Sequence, residues 1–408
     1  MDPALVERLR AEMHAEFART APPPGFPRFP DIPMGRYTDD AFYDLERRHL
    51  WPQAWVLAGR TDDLPNPGDY RTFDGLDAPV LLVRGADGVL RAFYNTCQHR
   101  GAPVVRDQCG TARTLRCQYH SWTYDITDGS LLHVPDRRDF VDLDTSLRCL
   151  PTLRCEVWDG WVFVNQSPDA PTLAEWLAPI PAQLAGLQGG TLRTVARRST
   201  VVACNWKITA EAFLEVYHFR HIHQRNGVTS LDNRGATMGL LPNGASRMVT
   251  PFSAAACAAM GMATWDAWPA SFEGMVRGTS TAYSVFPNLI TPIAMNGFPF
   301  ITFWPLDRRT TRIEWTHYAA VGDDFDIDDP PPEWQARLAR FDEIMDEDFA
   351  NMAPMQRSIE SPALRGVPIN YQERRIWHFH EQLDRMIGID RIPAELRVSP
   401  LLSGYVGD

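Results

Sequence analysis

Apolar and polar positions change period several times along the chain, and each change marks an element. Leu5, Leu9, Met13 and Phe17 recur every four residues after an Asp2-Pro3 start, which predicts an N-terminal helix with one apolar docking stripe. The stretch APPPGFPRFPDIP, residues 21–33, ends that helix as an extended arm. From about Trp55 the period shortens to that of strands. WVLAGRT, GDYRTFD, APVLLVRG and VLRAFYN alternate or run apolar, with Ala86-Asp87-Gly88 as a hairpin turn. CEVWDGWVFVNQ makes another hairpin around Asp159-Gly160. After Gln166 the character turns Pro-rich and then helical. The pattern divides the chain into a helix and arm over 1–45 that pack on the body, an all-β unit over 46–166, and a larger α+β unit over 167–408.

In the larger unit a β-branched run at Thr200 to Val202 leads into a predicted helix from about Asn205. Lys207, Glu211, Glu215 and His218 would share one polar stripe on it, either a solvated face or an inward-looking site. TAYSVFPNLITPIAM, FPFITFWPL and TRIEWTHYAAV read as strands of an antiparallel sheet. A late helix, EWQARLARFDEIMDEDFANMAPMQRSI, carries Leu338, Phe341, Met345 and Met352 on its apolar face, and Asp348 falls among them. The segment from Asn226 to Arg277 reads as loop and short helix, either a cover over a pocket or an exposed insertion. A last helix and a partly ordered end are expected from Ile376, with His378 and His380 structural.

The chemistry begins in YNTCQHRGAPVVRDQCGTARTLRCQYHSWTY, from Tyr94 to Tyr124. It holds two ligand pairs, Cys97-x-His99 and Cys117-x-x-His120, separated by 17 residues. Two Cys and two His suit either a tetrahedral zinc or a [2Fe–2S] cluster in which two His replace two Cys on one iron. The turn residues around the pairs favour the cluster, because a structural zinc finger places its His pair on a helix. Each loop can offer its Cys to one iron and its His to the other.

With those flanks, NTCQHRGAP and RCQYHSWTYD, the chain resembles the catalytic alpha subunits of Rieske non-haem iron oxygenases, with Ser121 where Gly is usual. Oxygen activation then needs a second metal. His218 and His223 offer two imidazoles near a helix end, with His221 a further candidate that more plausibly points elsewhere. Asp348 supplies the missing carboxylate, since a lone acid on a core face needs a charged partner or a metal. Together they form a 2-His-1-carboxylate triad that leaves positions open on ferrous iron. NWK at 205–207, E-x-Y-H at 215–218 and E-D-x7-Q from Glu347 to Gln356 are similar to the same family. The resemblance implies a helix-grip catalytic domain and a head-to-tail homotrimer. In that trimer Glu215 is the acid bridging one subunit's cluster to its neighbour's iron. A Glu there is more like the members acting on quaternary ammonium compounds than the ring hydroxylators with Asp.

Composition narrows the partners. A formal charge of −11 argues against non-specific nucleic-acid and anionic-membrane binding, and no apolar run reaches the length of a transmembrane helix. Seven Cys without framework spacing fit a reducing cytoplasm. The expected activity is hydroxylation or demethylation of a small organic molecule, an aromatic or alicyclic acid or an N-methylated compound. It would use O2 and NAD(P)H electrons passed by a ferredoxin or flavin reductase. Trp265, Trp268, Tyr283 and Phe286 are candidates for an aromatic cage. An electron-transfer protein and a zinc-stabilised binding module are the alternatives.

Overall fold

The computed structural model describes residues 1–223, 230–322 and 324–407. The chain forms two compact units, one over Trp51–Glu175 and one made of Met1–Leu50 with the residues from Trp176 onward.

The first unit is all-β. Strands β1 (Val56–Arg60), β2 (Asp69–Phe73), β3 (Val80–Arg84), β4 (Leu90–Tyr94), β5 (Cys109–Thr111), β9 (Thr152–Trp158) and β10 (Trp161–Asn165) form an antiparallel sheet in the order β1-β10-β9-β4-β3-β2-β5. A second sheet, β6 (Thr114–Arg116), β7 (Thr123–Asp125) and β8 (Leu131–His133), runs in sequence order. The β9–β10 hairpin turns at Asp159-Gly160, both at positive φ (48° and 89°), as the Asp-Gly pair favours. Tyr70, Leu81, Phe93, Val104, Leu115 and Trp122 belong to a core that also contains Cys97 and Cys117.

The second unit is α+β. Helix α1 (Pro3–Ala18) starts where Asp2 Oδ1 accepts the Leu5 N–H at 2.8 Å. It buries Val6, Leu9 and Met13. Seven strands, β11 (Arg193–Val202), β12 (Thr237–Leu240), β13 (Ser246–Pro251), β14 (Thr279–Val285), β15 (Leu289–Ile293), β16 (Phe298–Asp307) and β17 (Thr310–Ala319), make one antiparallel sheet ordered β11-β17-β16-β15-β14-β13-β12. Among its helices, α2 (Trp206–Glu211), α3 (Phe219–Ile222), α4 (Pro332–Ile359) and α5 (Arg374–Ile387) bear on the site.

Two expectations change. The helix from Asn205 is not continuous: α2 stops at Glu211 and α3 begins at Phe219. Backbone bonds tighten from Phe213 to Ala210 and Leu214 to Glu211, and the Leu214 carbonyl accepts from the Arg375 guanidinium at 3.3 Å instead of continuing the helix. The C-terminal end is packed, with Leu396, Val398 and Leu402 buried.

Candidate metal centres

The first ligand set sits on two loops with the same local architecture. In the loop after β4, the Gly101 N–H bonds the Cys97 carbonyl and the Cys97 N–H bonds that of Ala102, both at 2.9 Å. In the loop between β6 and β7, Ser121 bonds back to Cys117 and Cys117 to Trp122 at the same distances. Each loop closes through a left-handed residue, Gly101 at φ 75° and Ser121 at φ 60°. His99 stacks on Trp122 at 4.9 Å between ring centroids and lies 4.6 Å from His120. Cys97 Sγ is 3.2 Å from the Tyr124 hydroxyl, which also accepts the Gln98 N–H. Burial pushes the Cys97 thiol up, against the pull of that hydroxyl.

The residues fit an iron–sulfur cluster. His99 Nδ1 is buried with no hydrogen-bond partner, an orphan that a metal would satisfy. Cys97 and Cys117 lie in the core and, like all seven cysteines, form no disulfide. Among the described residues, His218, His223 and Asp348 alone gather three ligand atoms within 4.8 Å of one another. Two thiols and two imidazoles on paired loops are the donor set of a [2Fe–2S] cluster with mixed Cys and His ligation.

The second set spans α3 and α4. His218 caps the start of α3, His223 follows its end, and Asp348 lies on the buried face of α4 with Leu338, Met345, Met352 and Gln356. His218 Nε2 and His223 Nε2 stand 3.6 and 3.5 Å from Asp348 Oδ1. Those separations are long for hydrogen bonds, but ligand atoms about 2.1 Å from one ion stand about 3 Å apart. Each imidazole is held from behind by a carboxylate: His218 Nδ1 by Glu215 Oε1, and His223 Nδ1 by Glu347 Oε2 at 2.9 Å. His218 Nε2 is buried with no hydrogen-bond partner. Burial alone would lower the His218 imidazole, but Glu215 and Asp348 outweigh it and raise it. Burial pushes Asp348 up to about 6, against the pull of the two histidines. So many acids in a buried site call for a cation, and a ferrous ion fits.

Other expected site residues divide. Glu215 does not share a helix stripe with Lys207 and Glu211; its carboxylate accepts the Tyr217 and His218 N–H groups and so starts α3. Lys207 is fully buried, 2.6 Å from Glu46. Glu211 meets Tyr37 and His380, and His380 in turn meets Arg36, within a buried network. His221, exposed, accepts from Arg220. Glu347 was not assigned a role from the sequence, although the Glu-Asp pair on α4 carries the signal: one acid faces the metal position and its neighbour the imidazole behind it.

Two cavities meet at the triad. One, of about 160 Å³, is lined by Phe213, Phe219, Met248, Ala282, Ile290 and Phe341 among others, with the triad as its polar part. The other, of about 340 Å³, is lined by Glu211, Glu215 and Glu373 besides apolar side chains. Trp265, Trp268, Tyr283 and Phe286 line neither, so no aromatic cage forms from them. Tyr283 instead bonds Gln183, and Phe286 packs on Phe379. Of the segment read as a cover, residues 226–229 lie outside the described residues; Leu231 and Met248 reach the apolar cavity.

The comparisons with known proteins agree with this division of labour. A Rieske [2Fe-2S] domain model matches residues 54–153, and a ring hydroxylating alpha subunit (catalytic domain) model matches 190–389. The carnitine monooxygenase oxygenase subunit of Escherichia coli (strain K12) is 31% identical over 194 residues, 47% of this chain and 52% of that protein. Chlorobenzene dioxygenase subunit alpha of Cupriavidus sp. (strain PS12) is 35% identical over 188 residues, 45% of this chain and 42% of that one. The chain thus spans about half the length of the curated relatives it matches. The fold is shared with a quaternary ammonium Rieske monooxygenase in complex with L-carnitine (TM-score 0.72, 21% identity, 90% of this chain and 98% of that one). It is also shared with naphthalene 1,2-dioxygenase from Rhodococcus sp. bound to indole (TM-score 0.70, 19% identity, 94% and 98%). No helix among the described residues is long and apolar enough to cross a membrane. With a Rieske [2Fe–2S] domain and a catalytic domain of the kind that binds mononuclear iron in one chain, this protein belongs to the alpha subunits of the Rieske ring-hydroxylating oxygenase family.

Proposed function

We propose that this chain is the terminal oxygenase of a multicomponent system that hydroxylates or oxidatively demethylates a small organic molecule. One observation carries the reading: an imidazole–imidazole–carboxylate triad, backed by Glu215 and Glu347, borders an apolar cavity in a chain that also holds a cluster ligand set. Cys97, His99, Cys117 and His120 would hold the [2Fe–2S] cluster, and His218, His223 and Asp348 the ferrous iron. When bound, the two groups supply one-electron storage and oxygen activation.

The protein's own residues set the conditions. Glu215 and Glu347 fix both imidazoles with Nε2 toward Asp348. The apolar wall keeps water from the face opposite the triad, which limits side reactions in which O2 is reduced without forming product. The overall reaction consumes O2, two electrons and two protons. Monooxygenation places one oxygen atom in the product and the other in water; dioxygenation places both in the product. The electrons come from NAD(P)H through a ferredoxin or flavin reductase.

The same reading makes the protein a cytoplasmic, head-to-tail homotrimer in which Glu215 joins one subunit's iron site to its neighbour's cluster. Carboxylate oxygens have two lone pairs each, so Glu215 can hold His218 and still accept a neighbour's histidine N–H. The test is reconstitution with a ferredoxin–reductase pair under labelled O2. Label in an organic product supports the oxygenase; NAD(P)H oxidation without labelled product favours simple electron transfer.

A further inference from the structure

We propose that Glu211 is the acid that exchanges protons with a cavity at the triad, and that Arg36, His380 and Tyr37 position it. This rests on the oxygenase reading above, whose overall reaction takes up two protons. Three elements meet at the group. Glu211 ends α2, Arg36 and Tyr37 lie on the short helix Gly35–Thr38, and His380 lies on α5.

The hydrogens follow from the arginine. A guanidinium has donors and no acceptor. Arg36 Nε–H donates to His380 Nδ1 at 2.9 Å, so that nitrogen carries a lone pair and the ring proton sits on Nε2. Arg36 is itself held by Asp384 Oδ1 and the Leu396 carbonyl, each at 2.7 Å. His380 is therefore fixed as a neutral donor, and burial lowers it well below the usual imidazole range, with Arg36 and Lys207 acting the same way. Its Nε2–H reaches Glu211 Oε1 at 2.8 Å, and the Tyr37 hydroxyl donates to both oxygens of that carboxyl from 3.1 Å.

A proton on Glu211 then has one way out. On the inner side His380 has no free nitrogen and Arg36 no acceptor. Tyr37 can pass a proton inward only to His380, 3.0 Å away, which is closed to it. On the other side Glu211 lines the cavity of about 340 Å³ that His218 and Asp348 also line. Asn351 and Met355, both exposed, line the same cavity and lead it toward solvent.

The surrounding charges leave the acid poised. Lys207 turns to Glu46 at 2.6 Å, Arg36 to Asp384, and the Cys204 thiol lies just before α2. Glu215, Glu373, His218 and Asp348 share the cavity. Burial pushes Glu211 up to about 8, against Tyr37, Lys207 and Arg36 and with help from Glu373. Such an acid both holds and releases a proton near neutral pH. In the step, the Glu211 O–H bond breaks, its electron pair stays on the carboxylate and the proton leaves through the cavity. A proton from solvent then restores the acid.

The experiment is an infrared pH titration of the full iron-loaded protein, oxidised and anaerobic, with Glu211→Gln and Tyr37→Phe beside it. Gln keeps an acceptor for His380 and Tyr37 but does not titrate. The difference between parent and Glu211→Gln should show a carboxylic C=O band that vanishes with a midpoint of about 8. In Tyr37→Phe, where the carboxylate loses a donor, that midpoint should move up. Protein reduced and freed of excess reductant is then mixed with O2 as the probe. Reoxidation should slow by about tenfold per pH unit above about 8 in the parent. The slowing should begin at higher pH in Tyr37→Phe, and Glu211→Gln should react slowly at every pH. A difference spectrum without the band, or one pH profile shared by parent and Glu211→Gln, overturns the proposal and leaves the oxygenase standing. Should Glu211→Gln fail to fold, Tyr37→Phe decides: an unmoved midpoint and profile overturn the proposal. A parent with cluster iron but no mononuclear iron overturns the oxygenase reading, and the role of Glu211 in its reaction falls with it.

Discussion

His223 Nδ1 lies 2.9 Å from Glu347 Oε2, while its Nε2 faces Asp348, the very next residue on α4. One helix therefore presents both the carboxylate for the metal position and the one that orients an imidazole toward it. Removing an outer carboxylate of this kind typically costs about 10–100-fold in metal affinity. Glu347→Ala should weaken ferrous iron binding by that range in a chelator competition and leave the cluster absorption unchanged. Unaltered iron affinity would reduce Glu347 to a surface acid that happens to lie nearby.

The two metal sets should fail independently. Asp348→Ala should end product formation while the cluster spectrum persists, because Asp348 belongs to the second unit and no cluster ligand does. Cys117→Ser should bleach the protein, since a hydroxyl does not replace a thiolate on iron. Turnover by the first variant removes Asp348 from the triad; colour in the second moves the cluster.

Ser121 holds a left-handed backbone, φ 60°, at the turn that closes the Cys117 loop. Its counterpart in the Cys97 loop is Gly101. A side chain in that region costs about 1 kcal/mol relative to glycine. Ser121→Gly gives up the hydroxyl's bond from Arg116, which is exposed and so of small worth. Denaturant unfolding should put the variant about 1 kcal/mol above the parent. A loss of stability would mean that the Arg116–Ser121 bond matters more than the backbone.

His378 gives a pH test. It is buried, its Nε2–H donates to the Leu241 carbonyl at 2.9 Å, and burial lowers it to about 4. A folded value below the unfolded one means that the unfolded chain takes up the proton first as pH falls. The contribution of neutral His378 is thus complete above about 6.5 and shrinks toward pH 4. His378→Gln keeps an N–H donor but does not titrate. The parent's stability relative to this variant should fall by up to about 1.4 kcal/mol per pH unit between about 6.5 and about 4 and stay constant above that window. A difference that does not vary with pH would contradict a neutral buried His378.

Much of this was legible in the sequence for local reasons. The Cys and His pairs sit within five-residue loops, so spacing alone brings each pair together. Asp348 betrays itself because α4 is long and regular, and an acid between Met345 and Met352 must be buried. The Asn205 region misled because its breaking point is tertiary. Glu211 to His218 contains no Gly or Pro, and what ends α2 is Arg375 reaching Leu214 from α5 and Glu215 capping α3. Lys207 reads as solvent-facing until Glu46, 161 positions earlier, is seen beside it. The cavity was illegible for the same reason. Its wall comes from alternate residues of neighbouring strands, Ala282, Ile290 and Ile301, whose common face is fixed by register.

The most direct measurement is iron and acid-labile sulfide per chain on anaerobically purified protein, with an EPR spectrum after reduction. About three irons to two sulfides, with a Rieske-type signal, is the predicted result: two irons between the cysteine and histidine loops and one at His218, His223 and Asp348. About two irons to two sulfides, in protein that takes up no further ferrous ion, would contradict an oxygen-activating centre and leave an electron carrier.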